Sequence, residues 1–115
     1  MTKTLLHTEG IAILVFSIYF YSYFEFSWLV FIILLFVPDL SALGYLINVK
    51  VGTYLYNVFH TYTLPIMAML ISISVDYQTI LMVSLIWLAH IAMDRMLGYG
   101  LKYPTEFKDT HFNRV

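Results

Sequence analysis

Four long apolar runs dominate the chain, at residues 4–24, 28–48, 54–75 and 79–97. A helix needs about 20 residues to cross a hydrocarbon core of about 30 Å, so each run is long enough to span a bilayer. A hydrophobic content of 61% and a mean hydropathy of +0.81 are typical of a membrane protein. The sequence therefore predicts an all-α membrane protein, with four transmembrane helices in two hairpins forming one domain over residues 1–97. The polar segment 98–115 is predicted to be a tail outside the membrane.

The distribution of charged residues predicts the orientation of the chain in the membrane. If the four runs alternate in direction, one side carries Lys3, Lys50, Lys102, Lys108 and Arg114, and the opposite loops carry Glu25 and Asp76. The positive-inside rule then places both termini in the cytoplasm. Nothing in this pattern indicates a nucleic-acid partner.

A set of polar side chains lies within the apolar runs, toward the predicted cytoplasmic side. Its members are His7, Glu9, Asp39, Asn57, His60, His90 and Asp94. A charged side chain near the bilayer centre costs about 2.5–3.5 kcal/mol on insertion scales, so these groups are expected to face the bundle interior. His90 and Asp94 are four positions apart, which places them on one helix face. We expect the set to form one shared pocket.

The chemistry of this set indicates a metal site. Histidine and carboxylate ligands without sulfur suit Zn²⁺, Mn²⁺ or Fe²⁺, and the chain has no cysteine. A divalent cation would offset the charge of the buried carboxylates. The predicted metal ligands are His7, Asp39, His60, His90 and Asp94. Glu9 and Asp39 are the predicted catalytic residues, and either of them would act as general base or as ligand.

Other interpretations of the same residues remain open. An interhelical hydrogen-bond network would need no metal, and proton or ion passage would also use buried ionisable groups. Haem ligation needs two opposed histidines and leaves the carboxylates unexplained.

Two further patterns concern the arrangement of the helices. His7-Thr8, Asp39 and Leu43-Gly44-Tyr45 are followed 53 to 55 residues later by His60-Thr61, Asp94 and Leu97-Gly98-Tyr99. This spacing indicates either an internal repeat of two parallel hairpins or a coincidence of short matches. Pro38 predicts a kink or a helix end beside Asp39, whereas Pro65 has no acidic neighbour and is assigned no chemistry.

Four strings carry a resemblance to a family of small bacterial membrane proteins of unknown function. They are His7-Thr8-Glu9-Gly10, the segment 37–45, Asn57-Val58-Phe59-His60-Thr61-Tyr62 and the segment 90–104. More distantly, His7, Pro38-Asp39, His60-Thr61 and His90 with Asp94 resemble the pattern of membrane-bound metal-dependent hydrolases. Ser41 and Tyr62 stand where that pattern often has an acid and a further histidine.

The resemblance implies a multi-pass protein of the bacterial inner membrane. The leading function is then metal-dependent hydrolysis, and a lipid or lipid-linked substrate is expected from the location of the site in the membrane. The alternative is a non-enzymatic accessory or structural subunit, either of a membrane complex or of a homo-oligomer.

Overall fold

Helices make up nearly all of the chain that the structure describes. The computed structural model of the protein describes residues 2–98, 100 and 101. The α-helices are α1 (Thr2–Tyr23), α2 (Trp28–Leu34), α3 (Val49–Phe59), α4 (Thr63–Val75) and α5 (Gln78–Leu97), and a 3₁₀ helix (Val37–Leu46) lies between α2 and α3. No strand occurs among the described residues, so the predicted all-helical class is confirmed. The predicted tail, 98–115, lies outside the described residues except for positions 98, 100 and 101.

Three helical stretches are long and apolar enough to cross a membrane. They are Thr2–Tyr23, Trp28–Leu46 and Gln78–Leu97. α3 and α4 meet the requirement only together, as one span bent by 40°. The described residues therefore provide three spans, or four if the bent pair crosses once. This agrees with a membrane protein, while the count of four and the internal repeat stay predictions.

α5 forms the core of the bundle, and α1 packs along it in the opposite direction. Gly10 of α1 makes the close approach possible, because a Cβ atom at this position would lie 2.7 Å from the Cβ atom of Arg95 and 2.7 Å from the backbone nitrogen of Met96. At the other end of α1, the buried Tyr21 packs with Leu81 and Leu85 of α5. The first residues of α1 and the last residues of α5 therefore lie at the same end of the bundle.

The second apolar run is divided beside Pro38, in agreement with the kink or helix end predicted there. α2 ends at Leu34, and the chain continues as the 3₁₀ helix, with Pro38 in its first turn. Proline has no N–H group to donate and is tolerated in the first turn of a helix, where that donor would have no partner. The 3₁₀ helix spans 10 residues, far more than the usual three or four, which marks an unusual local geometry around Asp39.

The 3₁₀ helix is held against α3 by a contact between two glycines. A Cβ atom on Gly44 would lie 3.1 Å from the Cα atom of Gly52. One residue further along each helix, the hydroxyl groups of Tyr45 and Thr53 are 3.1 Å apart and share a hydrogen bond. This contact fixes the segment that carries Asp39 beside the helix that leads to His60.

The third apolar run differs from the prediction of one helix over residues 54–75. α3 begins at Val49, where the Asn48 side chain accepts a hydrogen bond from the Val51 N–H group (2.8 Å). It ends at Phe59, and α4 starts at Thr63. Pro65 lies in the first turn of α4, and in a continuous helix its ring would clash with the carbonyl group of Thr61. The run therefore stops and restarts, with His60 at the break.

Candidate metal centre

Four side chains converge at the middle of the structure. One ligand atom from each of Asp39, His60, His90 and Asp94 lies within 4.8 Å of all the others. The Nε2 atoms of His60 and His90 are 3.2 Å apart. Asp39 Oδ1 lies 3.2 Å from the first of these nitrogens and 3.1 Å from the second. Asp94 Oδ2 lies 3.6 Å from the Nε2 atom of His60 and 3.2 Å from that of His90. Two imidazole nitrogens and two carboxylate oxygens thus face a common point.

Three different parts of the chain supply this cluster, which we call the His/Asp cluster. Asp39 comes from the 3₁₀ helix, His60 from the break between α3 and α4, and His90 and Asp94 from successive turns of α5. Both histidines are fully buried and Asp94 is 8% exposed. The Asp39 side chain is 49% exposed, so the cluster is enclosed except on the Asp39 side.

The orientation of the His60 ring is fixed by Tyr56 of α3, the helix that ends just before His60. The Nδ1 atom donates a hydrogen bond to the Tyr56 carbonyl oxygen at 2.8 Å. The imidazole ring of His60 also stacks on the phenol ring of Tyr56, with centroids 3.8 Å apart and planes 6° from parallel. Since Nδ1 carries the proton in this bond, the neutral ring presents the lone pair of Nε2 to the cluster.

The backbone at the break is satisfied by side chains of α5. A helix end leaves carbonyl groups without partners, and inside a bilayer no water replaces them. Here Trp87 Nε1 donates to the Phe59 carbonyl oxygen at 2.7 Å, and Arg95 Nη2 donates to the His60 carbonyl oxygen at 2.9 Å. The same helix therefore supplies two cluster residues and holds the third in place.

Hydrogen bonds alone satisfy only part of this arrangement, because a proton on His90 Nε2 can be donated to Asp39 or Asp94 while His60 has no donor to offer the cluster. With its proton on Nδ1, the neutral His60 ring directs an unprotonated Nε2 at two carboxylates, which are also acceptors. If both histidines were charged, their two Nε2–H groups would oppose each other across 3.2 Å. The Nδ1 atom of His90, on the far side of the ring from the cluster, has no hydrogen-bond partner among the described residues, with or without a cation at Nε2. A cation at the common point would accept all four lone pairs at once.

The spacing of the four donor atoms also fits a metal ion. A tetrahedron whose corners lie about 2.0–2.1 Å from its centre, as for zinc ligands, has edges of about 3.3–3.4 Å. Five of the six donor–donor distances in the cluster lie between 3.1 and 3.6 Å. The side chains could therefore hold an ion of this size with little movement.

The structure does not bring every predicted site residue into the cluster. His7 Nδ1 donates to the Met96 carbonyl oxygen at 2.8 Å, and Glu9 is exposed. The reason is the packing of α1. Because Gly10 contacts α5 at Arg95 and Met96, His7 lies nearer the end of the bundle than Asp94. His7 and Glu9 are thus not among the four converging residues, and their assignment to the site stays a prediction.

Asn57 lies in the last turn of α3, three residues before His60. It is partly buried, and its carbonyl oxygen accepts a hydrogen bond from the backbone N–H of His60 at 3.2 Å. Its place in the site stays a prediction.

Three supporting residues were not assigned to the site from sequence. The Tyr56 carbonyl, the Trp87 indole and the Arg95 guanidinium group hold His60, as described above. A tryptophan one turn before a buried histidine carries no recognisable motif. Pro65, two residues after the first residue of α4, is a local signal for the start of a new helix, because proline is common in the first turn of a helix.

Comparison with known proteins assigns the chain to a family. A family model described as a domain of unknown function (DUF4260) matches residues 3–115. The chain belongs to this family. Neither the curated proteins nor the solved structures provide a match. The expected family of unknown function is therefore confirmed, and the comparisons supply no support for the more distant resemblance to membrane hydrolases.

Proposed function

We propose that this protein is a membrane metalloprotein that holds one divalent cation at Asp39, His60, His90 and Asp94. The observation that carries the proposal is the convergence of two Nε2 atoms and two carboxylate oxygens at donor–donor distances of 3.1 to 3.6 Å. The bond from His60 to the Tyr56 carbonyl supports it, because a hydrogen bond on the outer nitrogen is the usual means of orienting a histidine ligand.

The donor set favours a metal of intermediate hardness. Two imidazoles and two carboxylates suit Zn²⁺, Mn²⁺ and Fe²⁺. The near-tetrahedral spacing is closest to what Zn²⁺ prefers. Two carboxylates balance the charge of a divalent cation, which lowers the cost of placing these groups inside the spans.

We further propose that the centre is hydrolytic and acts on a lipid-like substrate. Catalytic zinc sites typically keep three firm protein ligands and one position for water or substrate. His60, His90 and Asp94 are the enclosed residues here, while Asp39 is half-exposed on a 3₁₀ helix. Asp39 is therefore placed to act as a ligand that yields to water, or as the base that takes a proton from it. A bound cation would supply Lewis-acid activation of that water and of a carbonyl or phosphoryl oxygen.

The hydrolytic proposal is tested by lipid turnover in vesicles. Protein reconstituted in phosphatidylcholine vesicles is incubated with fluorogenic ester and phosphodiester lipids, with zinc and then with a chelator. We expect turnover that the chelator abolishes and added zinc restores. Asp39→Asn should lower turnover more than it lowers bound metal, whereas the matched change Asp76→Asn, in the turn before α5, should leave both unchanged.

A non-enzymatic role is the alternative outcome of this test. Protein that retains metal but cleaves neither class of lipid would contradict the hydrolytic proposal. The cation would then tie the 3₁₀ helix, the break and α5 together, as expected of an accessory or structural subunit.

A further inference from the structure

An apolar cavity lies next to the His/Asp cluster. Its volume is ≈ 460 Å³, which is within the range of about 300–1,000 Å³ found for small-molecule sites. Its lining includes Pro38, Leu40, Ser41, Phe59, Val83 and Trp87. Apart from the Ser41 hydroxyl and the Trp87 indole, whose N–H group is already bonded to Phe59, these side chains are hydrocarbon. The cavity therefore suits an apolar ligand.

The cavity walls and the cluster are built from the same segments. Pro38 and Leu40 flank Asp39 in the 3₁₀ helix, and Phe59 directly precedes His60. Ser41 also lines the cavity, and its hydroxyl group, which donates to the Pro38 carbonyl oxygen at 2.8 Å, lies 3.5 Å from the Nδ1 atom of His60. The four cluster residues are not part of the cavity wall, and Asp39 is the cluster member whose two chain neighbours both line it.

A second cavity continues the apolar path along α5. Its volume is ≈ 210 Å³, and its lining shares Val83 and Trp87 with the first cavity and extends to Thr79 and Ile80. At a rise of 1.5 Å per residue, the path from His90 back to Ile80 is about 15 Å long. Because α5 is a candidate span, this path follows the general direction of a lipid chain in a bilayer.

In a bilayer the cavity and the cluster contribute differently to lipid binding. Lipid tails are as apolar as the cavity wall, so burial of a hydrocarbon chain there gains little from the hydrophobic effect. Filling the void restores dispersion contacts, but these do not distinguish one chain from another. Selection therefore comes from the polar end, where a carbonyl or phosphoryl group reaches the cluster.

We propose that the two cavities hold one acyl chain of a bilayer lipid and direct its polar end to the His/Asp cluster. This inference rests on the proposed function and defines its substrate class. The substrate is an acyl lipid that enters from the membrane, and the chain site exists whether or not the cluster holds a metal.

Photolabelling in vesicles tests the chain site without relying on activity. The probe is a phosphatidylcholine with a diazirine on one acyl chain, diluted into dioleoylphosphatidylcholine vesicles that contain the full-length protein. After illumination, adducts are mapped by mass spectrometry. We expect them to concentrate on cavity residues such as Phe59 and Val83, above the level on Val15, which is 62% exposed on α1 and reports ordinary contact with lipid.

Filling the cavity supplies the decisive comparison. Val83→Trp should reduce cavity labelling to the level at Val15, and the smaller Val83→Met should reduce it partly, which covers the case in which the tryptophan variant does not fold. The matched change Val15→Trp should leave cavity labelling unchanged. Labelling that follows the exposure of each residue, or that survives both changes at Val83 in folded protein, would overturn the proposal.

A metal-free variant separates this proposal from the proposed function. Asp94→Asn should lose the metal yet keep labelling that is sensitive to Val83→Trp. If wild-type protein holds no metal but shows the same labelling, the metalloprotein proposal fails and the chain site stands. If the protein retains metal but the cavity residues are labelled no more than Val15, the chain-site proposal fails and the metalloprotein proposal stands.

Discussion

Replacement of Trp87 by phenylalanine should destabilise the protein through one hydrogen bond. The Trp87 indole donates to the Phe59 carbonyl oxygen at 2.7 Å, and this carbonyl belongs to the last residue of α3. Phenylalanine keeps an aromatic ring beside Phe59, where the two rings now have centroids 5.8 Å apart and planes 29° from parallel. The main loss is therefore the donor.

The expected loss follows from the surroundings of this carbonyl group. In water, a freed carbonyl finds a new partner, but inside a bilayer span it does not. This bond lies at an exposed position of the fold, which in a membrane span is surrounded by lipid. An acceptor left unsatisfied away from water costs about 1–3 kcal/mol, and this is the decrease expected in the free energy of unfolding. Since His60 follows Phe59 directly, a loosened break should also weaken metal binding.

Reversible unfolding in mixed micelles measures this change. Trp28→Phe is the matched control, because the same atoms are removed and Trp28 is 44% exposed. The Trp28 ring packs against Tyr21 and Phe31, with centroids 4.9 and 5.1 Å away. Phenylalanine keeps a ring against both neighbours, so the decrease in stability is expected to be smaller than for Trp87→Phe. Equal stability of Trp87→Phe and Trp28→Phe would refute the role of the Trp87 donor in holding the break.

Three further predictions concern the packing of α1, the orientation of the chain and the ligand set. Gly10→Ala should lower the free energy of unfolding by about 1–3 kcal/mol, since the added Cβ meets the α5 backbone and this overpacking outweighs the helix propensity of alanine; unchanged stability would refute the close approach. Cysteines placed at Lys50 and at Asp76 should be labelled only from the cytoplasmic side and only from outside, respectively, and labelling of both from one side would contradict the predicted orientation. His7→Gln should keep the metal content of the wild type while His60→Gln loses it, as measured by elemental analysis, and equal loss in both variants would return His7 to the ligand set.

The fold could be predicted from sequence as far as hydropathy determines it. Run length and apolar content identify the spans, because the cost of polar groups in hydrocarbon leaves few alternatives. The break at His60 was missed because the carbonyl groups it exposes are satisfied by Trp87 and Arg95, which lie about 30 residues further along the chain. A pattern of local hydropathy contains no information on such distant donors.

The four converging residues of the candidate site could be predicted from the sequence, whereas the position of the two residues on α1 could not. Asp39, His60, His90 and Asp94 converge because each is costly in lipid and all lie at similar depth, which is the argument made from sequence. The same argument included His7 and Glu9, since depth does not specify the helix face that packs inward. That choice depends on the contact of Gly10 with α5, which is visible only in the structure.

The metal content of the purified protein tests the central claim most directly. The protein is purified without added metal and without a metal-binding affinity tag. Elemental mass spectrometry then gives the amount of each metal, which is divided by the amount of protein. The account predicts one equivalent of zinc, manganese or iron per chain, lost in His90→Asn and in Asp94→Asn and retained in a control change at Asp76. Absence of stoichiometric metal in the wild type, with wild-type stability in both site variants, would contradict it and leave the cluster as a hydrogen-bond network.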